Sequence, residues 1–302
     1  MNNTPRRVIA LGFFDGVHNG HGALLRCVTQ RATELDATPA AFTFDVHPES
    51  LIFGRTTPTL TDLPLRKALM AEHYGIHDVI VAHYDHEFMR TPWQNFVTDY
   101  LIAQWGAVHL VVGHDFRFGY RGEGNPQRLT QLCEELGIGC DIIQPVEQDG
   151  ITVSSTYIRT LVAQGEMERA HAFLGHPHSL CSTVGHGKKL GRSLGFPTVN
   201  LTFPDGALIP ARGVYATRVT VDGTTYNAVT NVGVRPTVDP DGAVTAESFL
   251  LDFDGDLYGK TLRLDFYKFL RPEQQFADFD TLSRAIRENV QQTRDYFRLA
   301  DY

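Results

Sequence analysis

Up to about Gln148, short runs rich in β-branched and aromatic residues alternate with stretches whose apolar residues recur every three or four positions. Strands repeat every two residues and helices every 3.6, so this alternation predicts a parallel sheet covered by helices. The strand candidates are Val8 to Phe14, Ala40 to Phe44, Asp78 to Tyr84, Val108 to Gly113 and Cys140 to Val146. Between them, Leu24, Leu25, Val28, Ala32 and Leu35 share one helical face, as do Trp93, Phe96, Val97, Tyr100 and Leu101. A closing helical segment runs from Ser154 to Gly175. After His176 the rhythm becomes short strands separated by Asp222-Gly223, Asp241-Gly242 and Asp254-Gly255, which predicts a small antiparallel barrel. Leu282, Ile286, Val290, Tyr296 and Phe297 then recur at helical spacing between Asp278 and Leu299, and that helix can pack on the barrel. The expected domains are 1–175 and 176–302, hinged at Gly175 to His178.

A chain of 302 residues is long enough for two cores. No apolar run reaches the roughly 18 residues of a membrane span, and Asp15 interrupts the first apolar run with no cleavage site after it, so a cytoplasmic protein is expected. Cys27, Cys133, Cys140 and Cys181 show no CxxC spacing and are expected to be reduced, buried thiols. The net charge of -8 argues against a nucleic-acid partner, because that binding needs Lys and Arg on phosphates. His73, His77, His83 and His86 lack a companion carboxylate pattern for a metal site and read as surface histidines.

Gly12 to His21, GFFDGVHNGH, stands where the first strand hands over to the first helix. Ligands of open α/β sheets bind at such carboxyl ends of strands. Gly12 and Gly16 permit a tight turn and close backbone approach, and a helix N-terminus favours phosphate. His18 and His21, three apart, can both face one phosphate and stabilise charge developing on it.

This segment resembles the FMN adenylyltransferase branch of the nucleotidylyltransferase superfamily, whose HxGH is present as His18 to His21. GHDFRFGYRGEG (Gly113 to Gly124) and VSSTYIR (Val153 to Arg159) fit the same family in order. The resemblance implies a Rossmann-like nucleotidylyltransferase sheet and makes His18 and His21 catalytic. It assigns Gly12, Phe13, Phe14, Asp15, Gly16, Asp115, Ser154, Ser155, Thr156 and Arg159 to ATP, and Phe44, Phe116 and Phe118 to the flavin ring.

Gly191 to Gly195 matches GxSxG, the nucleophile elbow of serine hydrolases. A strand-like Phe196-Pro197-Thr198 follows where a helix should open, and no histidine lies beyond His186, so that reading is rejected. The surrounding loop instead offers glycines, Lys188, Lys189 and Arg192 to phosphates, then Thr198 and Asn200 as oxygen donors for Mg²⁺. This segment, with GVYATRV (Gly213 to Val219), NVGVRPTV (Asn231 to Val238), ESFLLDFDGDLYG (Glu247 to Gly259) and LRPEQQF (Leu270 to Phe276), resembles the riboflavin kinase module. The resemblance implies a Greek-key barrel with a terminal helix. It assigns ATP to Gly187, Lys188, Gly191, Arg192 and Gly195, Mg²⁺ with the ATP phosphates to Thr198 and Asn200, the base to Glu247, and flavin to Gly213, Tyr215, Asn231, Arg271 and Glu273. The sequence departs from the module at His176-Pro177-His178, where Arg-Pro-Tyr is more usual, at Ser182, where glycine is common, and at Lys188, where an acidic residue is frequent.

The expected activity is phosphorylation of riboflavin to FMN, then adenylylation of FMN to FAD, with Mg²⁺, ATP and flavins as the only partners and homo-oligomerisation left open. Two rivals stand beside it. A barrel that binds flavin without catalysis would not need Glu247, Thr198 and Asn200; a non-enzymatic regulator would need a macromolecule-binding motif that the acidic chain lacks.

Overall fold

The computed structural model describes residues 4–54, 56–185, 196–234 and 243–299. They fall into two compact units, Met1–Ser155 and Thr156–Tyr302.

In the first unit, β1 (Arg7–Leu11), β2 (Thr38–Phe44), β3 (Asp78–Ala82), β4 (Ala107–Gly113) and β5 (Gly139–Ile143) pair in parallel in the order β3-β2-β1-β4-β5. Val8, Ile9, Ala10 and Leu11 are all buried, as a central strand covered on both faces requires. Strand order reverses between β1 and β4, so their carboxyl ends open a crevice for a ligand. β1 stops at Leu11 rather than Phe14 because Phe14 adopts φ 59°, outside any strand conformation.

The connections are α1 (Asn19–Glu34), α2 (Pro48–Phe53), α3 (Leu63–Tyr74), α4 (Trp93–Asn95, continued as π-helix over Phe96–Gln104) and α5 (Pro126–Leu136). The last two residue pairs of the unit's sheet structure, β6 (Glu147–Gln148) and β7 (Ile151–Thr152), form a small hairpin. α3 and α5 carry their own start and stop signals. Asp62 and Asn125 cap them by accepting from Leu65 N and Arg128 N, each has proline in its first turn, and Gly75 and Gly137 end them in left-handed conformation.

α1 is anchored to the sheet through Asp141 on β5. Its carboxylate accepts from Arg31 Nε at 2.7 Å and Cys27 Sγ at 3.4 Å, both on α1, and lies 2.9 Å from His109 Nε2 on β4. The Arg31 hydrogen bonds hold the Asp141 carboxyl down at about 2, while burial and that carboxylate push the Cys27 thiol up to about 11. Of the four cysteines, expected to be buried, only Cys133 is fully so; Cys27, Cys140 and Cys181 are half-buried.

α6 (Ser155–Gln164) and α7 (Met167–Leu174) replace the single helical segment expected between Ser154 and Gly175, because Gly165 turns the chain with φ 79°. The second unit continues with β8 (His178–Thr183), β9 (Thr198–Thr202), β10 (Gly213–Val221), β11 (Thr224–Val234), β12 (Val244–Leu250), β13 (Thr261–Pro272) and α8 (Phe279–Leu299). The strands form one antiparallel sheet in the order β8-β13-β10-β11-β12-β9. It curls until its edges meet: Gly185 N donates to Asn200 O at 3.0 Å and Thr202 N to Ser182 Oγ at 3.2 Å. The expected antiparallel barrel is thus a six-stranded sheet curled upon itself, and Ser182 contributes to its seam. Thr217, Thr230 and Ser248 form a buried hydroxyl chain with both links at 2.7 Å. α8 buries Asn289, Thr293 and Phe297, leaving Leu282 and Ile286 half-buried.

Removing the anchor should be measurable. Asp141→Asn is expected to lower the stability of the first unit by about 1–3 kcal/mol at neutral pH, through loss of a charge-assisted hydrogen-bond set. Both tryptophans, Trp93 and Trp105, lie in that unit, so their fluorescence during denaturant unfolding reports it. Because the carboxyl is depressed from 3.8 to about 2, its contribution is present above 3.8 and the deficit should close as pH falls towards 2. Equal midpoints at neutral pH would refute the anchoring.

Candidate active sites

The chain leaves β1 through a turn at 12–18 in which Phe14, Gly16 and Val17 all have positive φ, of 59°, 79° and 41°. Phe14 is fully buried, and a side chain at Gly12 would press on its ring, so glycine there is a requirement of the turn. Asp15 is 2 % exposed and its Oδ1 accepts from Leu60 N at 2.8 Å and Thr61 N at 3.2 Å. Gly16 N donates to Thr61 Oγ1 at 3.0 Å. The Asp15 carboxylate, assigned above to ATP, is therefore engaged with backbone N–H groups of the segment before α3. Ser155 Oγ donates to Asp15 O at 2.9 Å and ties the start of α6 to the same turn.

The turn delivers two histidines to the start of α1. His18 caps the helix, its Nδ1 accepting from His21 N at 3.2 Å, and the two rings stack with centroids 3.6 Å apart. An Nδ1 that accepts carries no proton, so neutral His18 holds its proton on Nε2 as a donor. Gly20 is needed because a side chain there would meet the His18 ring at 3.1 Å. His21 Nδ1 is buried with no hydrogen-bond partner among the described residues. Burial first, then His18 and Arg66, push His21 well below its ordinary value, so it is neutral at physiological pH.

Asp115 and Phe116 follow the carboxyl end of β4, on the same side of the sheet as this turn, and the Asp115 side chain is 82 % exposed. Phe116 and Phe118 stack with centroids 5.6 Å apart and, with Phe44, line a cavity of about 170 Å³. Tyr84, Phe88 and Phe96 also line it, and the sequence did not mark them as site residues. They sit just past β3 and in the helical segment beyond, and only the fold brings them to Phe44. Ser154 and Ser155 close the first unit, whereas Thr156 and Arg159 belong to the second.

The second site follows from strand register. Asn200 pairs with Glu247, Glu247 with Asn231, Asn231 with Val214 and Val214 with Arg271, a straight row across β9, β12, β11, β10 and β13. Directly paired residues share one sheet face. Thr198, Phe249 and Val229, each two residues along its strand, form the next row on that face. A cavity of about 330 Å³ lies over it, lined by Thr198, Glu247, Asn231, Arg271 and Glu273 among others. The Glu273 carboxylate occupies the space a side chain at Gly233 would take, so glycine there admits it.

α8 covers the cavity with Leu282 and Ile286, and Arg271 Nε donates to Asn289 Oδ1 at 3.1 Å, binding β13 to the helix. Leu282 and Ile286 read from the sequence as a packing stripe; they are half-buried because they line the cavity. Gly213 and Tyr215 alternate with Val214 and lie on the opposite face. Tyr215 is fully buried, its hydroxyl donating to Ala211 O and its ring packed on Phe266 and Phe269. Gly187, Lys188, Gly191, Arg192 and Gly195 lie outside the described residues. His176 and His178, at the departures noted above, are 5 % and 4 % exposed, and burial pushes His178 down to about 4.

Two family models match the chain in sequence order: FAD synthetase over residues 1–157 and riboflavin kinase over 174–297. A bifunctional riboflavin kinase/FMN adenylyltransferase of Listeria monocytogenes is 34% identical over 96% of this chain and 92% of its own length. The enzyme of that name from Pseudomonas fluorescens is 37% identical over 95% and 92%. The crystal structure of a Streptococcus pneumoniae protein described as a macrolide-efflux protein aligns with TM-score 0.85 and 27% identity over 97% of this chain and 95% of that one. Among the described residues no helix is long and apolar enough to cross a membrane. With both models matched and relatives above 30% identical along almost the whole length, the chain belongs to the bifunctional riboflavin kinase/FMN adenylyltransferase family.

Proposed function

We propose that the chain phosphorylates riboflavin to FMN in its 176–302 half and adenylylates FMN to FAD in its 1–175 half. The observation that carries this reading is that two different family models match successive segments of the chain, FAD synthetase over 1–157 and riboflavin kinase over 174–297.

In the first half, an FMN phosphate oxygen attacks the α-phosphorus of ATP, and the bond to the β-phosphate breaks to release pyrophosphate. His18 and His21 donate hydrogen bonds to the oxygens on which charge grows, and Phe44, Phe116 and Phe118 hold the flavin ring by stacking. Ser154, Ser155, Thr156 and Arg159 bind the ATP phosphates. In the second half, Glu247 takes the proton of the ribityl hydroxyl as its oxygen attacks the γ-phosphorus, and ADP leaves. Asn231, Arg271 and Glu273 orient the flavin in the cavity above the strand row.

The hydroxyl of Thr198 and amide oxygen of Asn200 share one sheet face with the Glu247 carboxylate, a hard-oxygen set that suits Mg²⁺. Thr198 and Asn200 would hold the ion, which when bound neutralises charge on the ATP phosphates.

Incubation with riboflavin and Mg-ATP, followed by separation of flavins, tests both halves: absence of FMN sinks the kinase, and absence of FAD from supplied FMN sinks the transferase. His21→Ala is expected to slow FAD formation by about 10²–10³-fold with FMN formation intact. Glu247→Gln should slow FMN formation by about 10²–10⁴-fold and leave FAD formation from FMN intact. Either variant losing both activities while folded would contradict separate sites.

The neutral state of His21 has its own signature. Its folded pKa lies below 6.5, so the stability it contributes is present above 6.5 and is lost as pH falls below that value. Tryptophan-monitored stability of the parent should therefore drop more steeply below pH 6.5 than that of His21→Phe; parallel curves would show that His21 is not buried neutral.

A further inference from the structure

Arg66, on the second turn of α3, is 2 % exposed and has no place in the chemistry described above. Its Nη1 donates to Thr43 Oγ1 at 3.1 Å and to Phe44 O at 3.2 Å, and its Nη2 to Thr61 O at 3.4 Å. All three acceptors are neutral oxygens. The guanidinium lies 4.0 Å from the centre of the Phe13 ring, and Thr43 Oγ1 passes the connection on by donating to Phe13 O at 2.9 Å. Its Nε is buried with no hydrogen-bond partner among the described residues.

A buried guanidinium in this state is a standing cost to the fold, because water is gone and no carboxylate is bonded in its place. Burial pushes it down to about 10, which leaves it fully charged at physiological pH. Asp15 and Asp62 act on it through space, yet Asp15 Oδ1 is held by Leu60 N and Thr61 N, and Asp62 Oδ1 by Leu65 N. His21 feels the same positive charge from the other side of the turn. An apolar side chain of similar size would fill the space at lower cost, so the charge itself calls for an account. The turn it braces is the one that faces the polyphosphate under the reading proposed above, on which this inference rests.

We propose that Arg66 is a positioning residue for nucleotidyl transfer: it joins the end of β2, the 12–18 turn and the segment before α3, and sets a fixed positive charge behind the turn against which the polyphosphate of ATP binds. The charge acts without touching substrate. It is present before ATP arrives, so it needs no rearrangement, and in a water-poor surround it is screened less than a surface lysine would be. Binding of the anion then adds to what Asp15 and Asp62 supply through space to a cation hydrogen-bonded only to neutral oxygens, so part of the cost in the free protein returns as affinity for the nucleotide.

The test uses the full chain with Arg66→Lys, which keeps the charge, and Arg66→Gln, which keeps hydrogen bonding and loses the charge. FAD formation from FMN is measured against ATP concentration, and FMN formation from riboflavin by the same preparations serves as the folding control. Arg66→Gln is expected to raise the ATP KM for FAD formation about tenfold, Arg66→Lys by less than about threefold, and neither to alter FMN formation. An ATP KM for Arg66→Gln within about twofold of the parent overturns the proposal. So does an equal loss in both variants, which would make the residue a spacer whose shape alone matters. Should Arg66→Gln fail to accumulate, a tenfold rise for Arg66→Lys still overturns it and a near-parental value still supports it. A parent protein that makes no FAD would instead defeat the transferase reading itself.

Discussion

The turn between β1 and α1 is the constraint on which the first unit depends. Phe14 and Val17 are held at φ 59° and 41°, a region costing of order 1–3 kcal/mol for each non-glycine residue, and for β-branched Val17 the penalty is at the upper end. Such a backbone persists only if its surroundings over-determine it. Here they do, from three separate places in the chain: the Asp15 carboxylate on the N–H groups of Leu60 and Thr61, the Ser155 hydroxyl on Asp15 O, and Thr43 on Phe13 O. The result is a short path from strand to helix that stacks two imidazoles face to face at the strand's carboxyl end. Without the left-handed residues, α1 would start further along and its histidines would leave the crevice between β1 and β4.

The two units solve the problem of placing polar groups by different means. A parallel sheet exposes its strand ends, so the first site is made of loops whose geometry must be enforced by long-range hydrogen bonds. The curled antiparallel sheet uses its face. Asn200, Glu247, Asn231, Val214 and Arg271 are aligned by the ladder itself, and backbone pairing sets their spacing. A slip of one residue at any strand would turn its member of that row to the other face. Position is therefore inexpensive at the second site and costly at the first, which is where the left-handed Phe14 and Val17, the engaged Asp15 and the buried Arg66 gather.

What could be read from the sequence follows the same division. GFFDGVHNGH was legible because strand, turn and helix are contiguous, and its chemistry needs nothing from elsewhere to be suspected. The alternation of β9 and β12 likewise put Thr198, Asn200 and Glu247 on strands. The partners that make the turn possible were not legible: Thr61 lies 45 residues from Gly16, and nothing in its own surroundings marks it as a turn clamp. Leu282 and Ile286 have the spacing of core residues, and periodicity does not distinguish a helix face that packs from one that roofs a cavity. Tyr215 shows the converse. Family resemblance grouped it with flavin contacts, while strict alternation from Val214 puts it in the core, and the period-two rule applied to Asn231 and its partners would have separated them.

Strand order in the second unit sets a schedule for biosynthesis. β13 is nearly last in the chain yet sits between β8 and β10 in the sheet, and it supplies Arg271, while the roof of the cavity comes from α8. On a ribosome the kinase pocket stays open and its apolar lining wet until those final segments emerge. The groups described above as bracing the first turn, Thr43, Leu60, Thr61 and Ser155, all lie in the first 155 residues, so they are synthesised half a chain earlier. Nascent polypeptides thus pass through a stage in which one end of the molecule can be finished while the other is an unclosed sheet exposing an edge at β10, the interval in which a chaperone has most to protect.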